Sequence, residues 1–320
     1  MRKVLISNIG FGEASPKALA LIDSRACVVE NKDKRRFTEE DFIKNIDGVH
    51  ILIAGTEKIT RSILEQASDL KIILRVGSGI DNIDLAYAKE KKINICYTPD
   101  APSAAVPEFT LALILNLIKG VSSCDRQMHA NIWSRPMGRL IESMKVGIVG
   151  AGKIGSKVTH LIKSIAPSVE ILFYDPHVLQ LLNAKKCNLE ELLAESDIIS
   201  FHLSSSDSTK GFIGTEHLKR MKPGTYLVNT SRGDILDEEA LYQCLKTKHL
   251  AGAALDVFEI EPYSGKLSEL ENCILTSHIA SMSRETRALM EEQVAEDVVR
   301  FIDNRPLARV LDGFNFMDLI

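Results

Sequence analysis

The chain has 320 residues, more than one typical hydrophobic core organises, so two domains are expected. Its formal net charge of −4 gives no electrostatic reason for nucleic acid or an anionic membrane as a partner. The six cysteines are scattered without a CxxC pair, which argues against a disulfide framework or a metal site and for a reducing, cytoplasmic setting.

In chain order, "MRKVLISNIG" has a basic start but an apolar run broken after four residues, so it reads as a first strand and not a signal peptide. "KVLIS" (3–7), "HILIAG" (50–55), "KIILRVG" (71–77) and "INICYT" (93–98) read as buried strands. Between them "SPKALALI", "TEEDFIKNI" and "TRSILEQA" carry helical spacing behind a Ser or Thr suited to N-capping. This βαβα rhythm implies a parallel sheet. A long apolar helix is expected from about Ala104; its run "LALILNLI" (111–118) is too short to span a bilayer. The rhythm restarts at "KVGIVG" (145–150) and continues through strands at 170–175, 197–202, 225–230, 251–257 and 273–278. An amphipathic helix over about 283–303 closes the pattern. Asp81 and Asp84 read as helix-start caps.

"GAGKIG" (150–155) follows the apolar strand directly. Gly150, Gly152 and Gly155 allow the tight turn, close approach of a pyrophosphate and packing of helix on sheet, with Lys153 and Ile154 opening the helix. Asp175 ends the next strand, 20 residues past Gly155, between Tyr174 and Pro176. Its carboxylate suits two ribose hydroxyls and repels a 2′-phosphate, and no arginine follows, so NAD is favoured over NADP.

The ordered series "RVGSGIDNID" (75–84), "GAGKIG", "YDP" (174–176), "NTSRGDILDEEAL" (229–241), "ALDVFEIEP" (254–262) and "TSHIA" (276–280) resembles the D-isomer-specific 2-hydroxyacid dehydrogenases, especially the phosphoglycerate dehydrogenase branch. The resemblance implies two Rossmann-like, doubly wound parallel-sheet α/β domains, the substrate domain being discontinuous: 1–100 for its first part, 101–285 for NAD binding and 286–320 for the return. It also implies an NAD-dependent exchange of a D-2-hydroxy acid and its 2-keto acid. That reaction needs a cation for the carboxylate, a proton donor to the carbonyl oxygen and a partner for the donor. Arg232 offers the planar fork, His278 the acid and Glu261 its partner. The resemblance further assigns His202, Thr230, Ser231 and Asp256 to the coenzyme, Asp256 holding the nicotinamide carboxamide. It turns the backbone N–H groups of Gly77, Ser78 and Gly79 toward the substrate carboxylate, while Arg75 faces the substrate or braces this loop. A homodimer through the NAD-binding domain is implied, with the arm 131–140 reaching the partner and Arg135 available to a substrate phosphate.

The chain departs from the family at Pro102, Pro107, Ser204 and Ser277, positions that touch loop rigidity and substrate fit but not the transferred groups. Its end at Ile320 implies no C-terminal regulatory domain. Two other readings remain open: a glyoxylate or hydroxypyruvate reductase, and an NAD(H)-sensing corepressor-like binding protein. The latter lacks support from a Pro/Ser-rich tail or basic patch.

Overall fold

The computed structural model describes residues 1–317. It contains two units, Met1–Pro102 with the segment from Met282, and Ser103–Ser281. All strand pairs within both sheets are parallel.

The first unit begins with β1 (Lys3–Ile6), α1 (Pro16–Asp23), β2 (Cys27–Glu30), α2 (Glu39–Asn45), β3 (Ile51–Ala54), α3 (Arg61–Gln66), β4 (Ile72–Arg75), α4 (Leu85–Glu90) and β5 (Asn94–Tyr97). Its sheet order is β2-β1-β3-β4-β5. β3 and β4 lie inside and are buried at every residue, which is why they read as apolar runs, β4 up to its last residue, Arg75. β2 is an edge strand and partly exposed; with that weak pattern, "CVVE" is not evident as a strand. Thr38 caps α2 in a reciprocal capping box with Asp41, Thr60 caps α3, and Asp84 caps α4 through Tyr87 N–H. Ser15 behaves differently. Its hydroxyl leaves the α1 helix end unbonded and donates to Glu292 at 3.1 Å, while its N–H donates to Glu291 at 2.9 Å.

The second unit carries α5 (Ala105–Lys119), α6 (Val121–His129), β6 (Lys145–Val149), α7 (Lys153–Ile165), β7 (Glu170–Tyr174), β8 (Lys185–Lys186), α8 (Leu189–Glu195), β9 (Ile198–Phe201), α9 (Thr215–Arg220), β10 (Thr225–Asn229), α10 (Glu238–Lys246), β11 (Leu250–Leu255) and β12 (Cys273–Leu275). The order β12-β11-β10-β9-β6-β7-β8 places β6 beside both β7 and β9, so the chain reverses direction across the sheet there. Crevices at such reversals, beyond the carboxyl ends of the strands, are where open α/β sheets take ligands. The helical stretch Ala101–Lys119 is long and apolar enough by length and composition to cross a membrane. In this fold α5 packs on α7, β10 and β11, so its apolar face is used within the unit.

The chain returns to the first unit through α11 (Arg284–Ile302), capped by Ser283. α11 lies against α1, β4 and β5, and Met290, Val294, Val298 and Phe301 join one core cluster with Val4, Ile6 and Ile22. The whole helix therefore belongs to this unit, and the second crossing lies at Ser281 and Met282. Beyond it, the segment around Val310 pairs antiparallel with β5 at Cys96 and covers that sheet edge.

Candidate active site

The turn from β6 to α7 has room because three side chains are missing. Gly150 adopts φ +94°, and a Cβ there would lie 2.5 Å from the His202 carbonyl oxygen. A Cβ on Gly155 would meet the Gly150 carbonyl, so this glycine lets helix and turn close on each other. Gly152 is different: no atom of the described residues lies within 4 Å of where its Cβ would be. The fold itself leaves that position open. Gly152 is also the N-cap of α7 and supplies no side-chain acceptor, so the first N–H groups of the helix, from Lys153 onward, face a space suited to an anion.

Asp175, after β7, closes the other side. Its Oδ2 accepts from Ala151 N at 2.8 Å, and Oδ1 accepts from His177 N at 2.8 Å and Val178 N at 2.9 Å. Burial alone would raise this carboxyl, but the three N–H donors outweigh it and hold it below the ordinary aspartate range. Oδ1 is doubly used and Oδ2 once, which leaves Oδ2 a position for a ribose hydroxyl. Tyr174 is half-buried beside Phe212, and Pro176 is exposed. The open cradle and the remaining acceptor together fit a dinucleotide.

Further along the sheet, His202 pairs Nε2 with Ser200 Oγ at 2.9 Å, while Nδ1 is buried without a partner among the described residues. Burial pushes the ring down to about 3, so it is neutral near pH 7 and adds no charge beside the turn. Thr230, after β10, shares a 2.8 Å hydroxyl contact with Thr110 of α5.

The segment 229–233 presents Arg232. Asn229 shapes it: Oδ1 accepts from Ser231 N at 3.0 Å and Ser231 Oγ at 2.8 Å, and Nδ2 donates to the Arg232 carbonyl at 2.8 Å. Arg232 Nη1 donates to Ser231 O at 2.7 Å. A Cβ on Gly233 would fall on the backbone of Phe258 and Glu259, so the Arg232 turn rests directly on the loop that carries Glu261. That loop is braced by the stacked rings of Phe258 and Tyr263, 4.2 Å apart. Glu261 brings both carboxylate oxygens to 3.0 Å from His278 Nδ1. Both side chains are partly exposed, 18% for Glu261 and 31% for His278, so the pair borders solvent and is reachable by a small ligand. His278 has φ +57°, and its N–H donates to the Asp256 carbonyl at 2.8 Å.

Asp256 is wholly buried. Its carboxylate is turned toward residues 276–280 and not toward an open space, a placement the motif alone does not indicate. In the first unit, the Arg75 guanidinium lies against Gly77, whose φ of +145° disfavours a side chain. Arg75 also donates to the Val76 carbonyl. Gly77 N–H is taken by Thr98 Oγ1 at 2.8 Å, whereas the N–H groups of Ser78 and Gly79 find no acceptor among the described residues. Arg135 is exposed in the arm and makes no ion pair among the described residues. No cluster of metal-ligating side chains occurs among the described residues. Asn229, Thr276, Thr110 and Ser200 are the supporting residues that sequence reasoning did not single out. Asn229 is the only one with a local signal, an Asx residue two positions before a Ser in a strand exit.

A family model described as "D-isomer specific 2-hydroxyacid dehydrogenase, NAD binding domain" matches residues 111–280. A glyoxylate reductase of Korarchaeum cryptofilum is 37% identical over 271 residues, which cover 81% of this chain and 80% of the relative. A D-3-phosphoglycerate dehydrogenase of Archaeoglobus fulgidus is 31% identical over 293 residues, 89% of this chain; this chain spans only 55% of that relative's length. Among solved structures, the D-lactate dehydrogenase of Aquifex aeolicus, complexed with NAD and lactic acid, superposes with a TM-score of 0.81. It is 26% identical and covers 94% of this chain and 96% of its own.

Proposed function

This chain belongs to the D-isomer specific 2-hydroxyacid dehydrogenase family, and from that premise we propose that it interconverts a small D-2-hydroxy acid and its 2-keto acid with NAD. The observation that carries the reading is the Glu261–His278 pair at 3.0 Å, beside the turn that presents Arg232. NADH, when bound, supplies the hydride that the keto carbon receives. The protein's part is electrostatic and protic. Arg232 holds the substrate carboxylate through its planar fork. His278 delivers a proton to the carbonyl oxygen as the alcohol forms, and in the oxidative direction takes it back. Glu261 keeps the ring oriented through its two carboxylate oxygens at Nδ1. Gly150 to Gly155 and Asp175 would hold the pyrophosphate and the adenine-side ribose, and Thr230, Ser231 and His202 would line the same coenzyme.

For the substrate we propose an unphosphorylated two- or three-carbon keto acid, glyoxylate or hydroxypyruvate. Support comes from the glyoxylate reductase that matches over about four-fifths of both chains. The phosphorylated reading rests on Arg135, which is exposed and unpaired in salt bridges among the described residues. Steady-state kcat/KM for glyoxylate, hydroxypyruvate, phosphohydroxypyruvate and pyruvate with NADH decides between them. Preference for phosphohydroxypyruvate that vanishes in Arg135→Ala would overturn the unphosphorylated reading, and tight NADH binding with no turnover of any acid would favour a sensor. We also propose a homodimer through the second unit, supported by Trp133, Met137 and Leu140 of the arm at 80%, 98% and 68% exposure. The six unpaired thiols support a cytoplasmic setting.

A further inference from the structure

Four hydrogen bonds tie the residues 276–280 to Asp256. Oδ1 accepts from Thr276 Oγ1 at 2.6 Å and Ile279 N at 2.9 Å; Oδ2 accepts from Ala280 N at 2.8 Å. The Asp256 carbonyl accepts from His278 N at 2.8 Å. The residue has no exposed surface, so three of the roughly four acceptor positions of its carboxylate are filled from within this one turn. In the middle of the turn His278 sits at φ +57°, a left-handed conformation that a histidine keeps only where its surroundings enforce it.

Resting on the dehydrogenase reading above, we propose that Asp256 is the positioning residue of the proton donor: its buried carboxylate builds the turn that sets the His278 ring against Glu261. The chemistry requires a group that only accepts. Thr276 O–H and two backbone N–H groups all donate, so an amide in place of the carboxylate directs an NH2 at one of these donors whichever way it is turned. The turn then loses at least one of its bonds, and the His278 backbone is free to leave the left-handed region. Thr276 is the second member of the device. It is two residues ahead of His278, and its hydroxyl shares Oδ1 with the Ile279 amide.

The test reads the His278 ring in the ligand-free protein, where neither hydride transfer nor coenzyme affinity enters. Long-range proton–nitrogen correlations report which ring nitrogen carries the proton and whether it is hydrogen-bonded, with His278→Ala giving the assignment and Glu261→Gln the signature of a lost partner. In Asp256→Asn the ring should move toward the Glu261→Gln signature. Its kcat should fall by about 100-fold, the order expected when a reacting group is misplaced by an ångström, with the NADH dissociation constant changed by less than the kcat. Thr276→Val should move the ring in the same direction by less, and it serves if Asp256→Asn does not fold. An unchanged ring signature in a folded variant of either kind, with NADH binding alone weakened, makes Asp256 a coenzyme ligand and overturns the proposal. If wild type turns over no 2-keto acid but the ring still responds, the positioning stands and the dehydrogenase reading falls.

Discussion

Replacing Asp175 by serine should do more than relax coenzyme preference. The carboxylate accepts three backbone N–H bonds of 2.8–2.9 Å, which tie the glycine turn at Ala151 to the chain at His177 and Val178. Hydrogen bonds to a charged group contribute about 1.5–3 kcal/mol each. A serine hydroxyl reaches one of the three donors at most, and the partly open site discounts the loss of the others. A net destabilisation of about 2 kcal/mol follows, together with loss of the ribose acceptor. The lost ribose bond, itself to a charged group and so about 1.5–3 kcal/mol, sets the affinity change, and at about 1.4 kcal/mol per tenfold NADH should bind roughly 10- to 100-fold more weakly. NADPH should gain little, because removing the repulsion adds no cation; the following residues are Pro176 and His177. Titration calorimetry of both coenzymes with wild type and Asp175→Ser measures this directly. The sign with pH is also fixed. The folded carboxyl lies below its ordinary range, so its stabilisation is present at neutral pH and is lost as pH falls through the folded value. The stability difference between wild type and mutant should therefore close in acid. A mutant that binds NADH like wild type, or a wild type that binds the two coenzymes equally, refutes the assignment.

The two glycines of the turn should separate fold from binding. Gly152→Ala should keep the wild-type Tm, since no protein atom contests its Cβ, while NADH affinity falls; Gly155→Ala should lower Tm by several degrees because its Cβ meets the Gly150 carbonyl. Thermal unfolding with and without NADH compares them, and a Tm loss in Gly152→Ala would contradict the open cradle. Glu261→Gln replaces the carboxylate that meets His278 Nδ1 at 3.0 Å by an amide, so the ring loses the partner that orients it and kcat for keto-acid reduction should fall by about 100-fold, with NADH affinity nearly unchanged. Turnover rates taken where chemistry limits the rate, with NADH titrations beside them, check it; a kcat equal to wild type sinks the pairing. Asn229→Ala should free the Arg232 turn and raise KM for the keto acid by about tenfold, the cost of about one buried hydrogen-bond set, with NADH affinity nearly unchanged. A KM equal to wild type would show that the turn holds without Asn229.

Much of the fold was legible because central strands of parallel sheets are covered on both faces and are therefore mostly apolar. β3, β4 and β9 are buried throughout; β3 is apolar at each position, and β4 and β9 carry one polar residue each, Arg75 and Ser200. β2 and β8 were not legible: both are edge strands, short and exposed, with little apolar pattern. The glycine turn and Asp175 could be read from spacing because their logic is local to one βαβ unit. The juxtaposition of Arg232, Glu261 and His278 needed a family resemblance, since positions 17 and 29 residues apart meet only through packing of separate loops. The buried environment of Asp256 was not legible at all. "ALDVFEIEP" says nothing about Thr276 or Ala280, which lie 20 and 24 residues downstream. The same holds for Thr110 and Thr230, 120 residues apart.

The return of α11 to the first unit sets an order of events during synthesis. When Tyr97 leaves the ribosome all five strands of the first sheet exist, but the face against α1, β4 and β5 still lacks its covering helix. Residues 103–281 must be made before that helix can begin, and at about 5–20 residues per second the delay is roughly 10–35 s. Meanwhile the second unit, continuous in sequence, has everything its own sheet requires. The nascent first unit therefore waits with Val4, Ile6, Ala18 and Ile22 uncovered, and its core closes only once the whole second unit has been made.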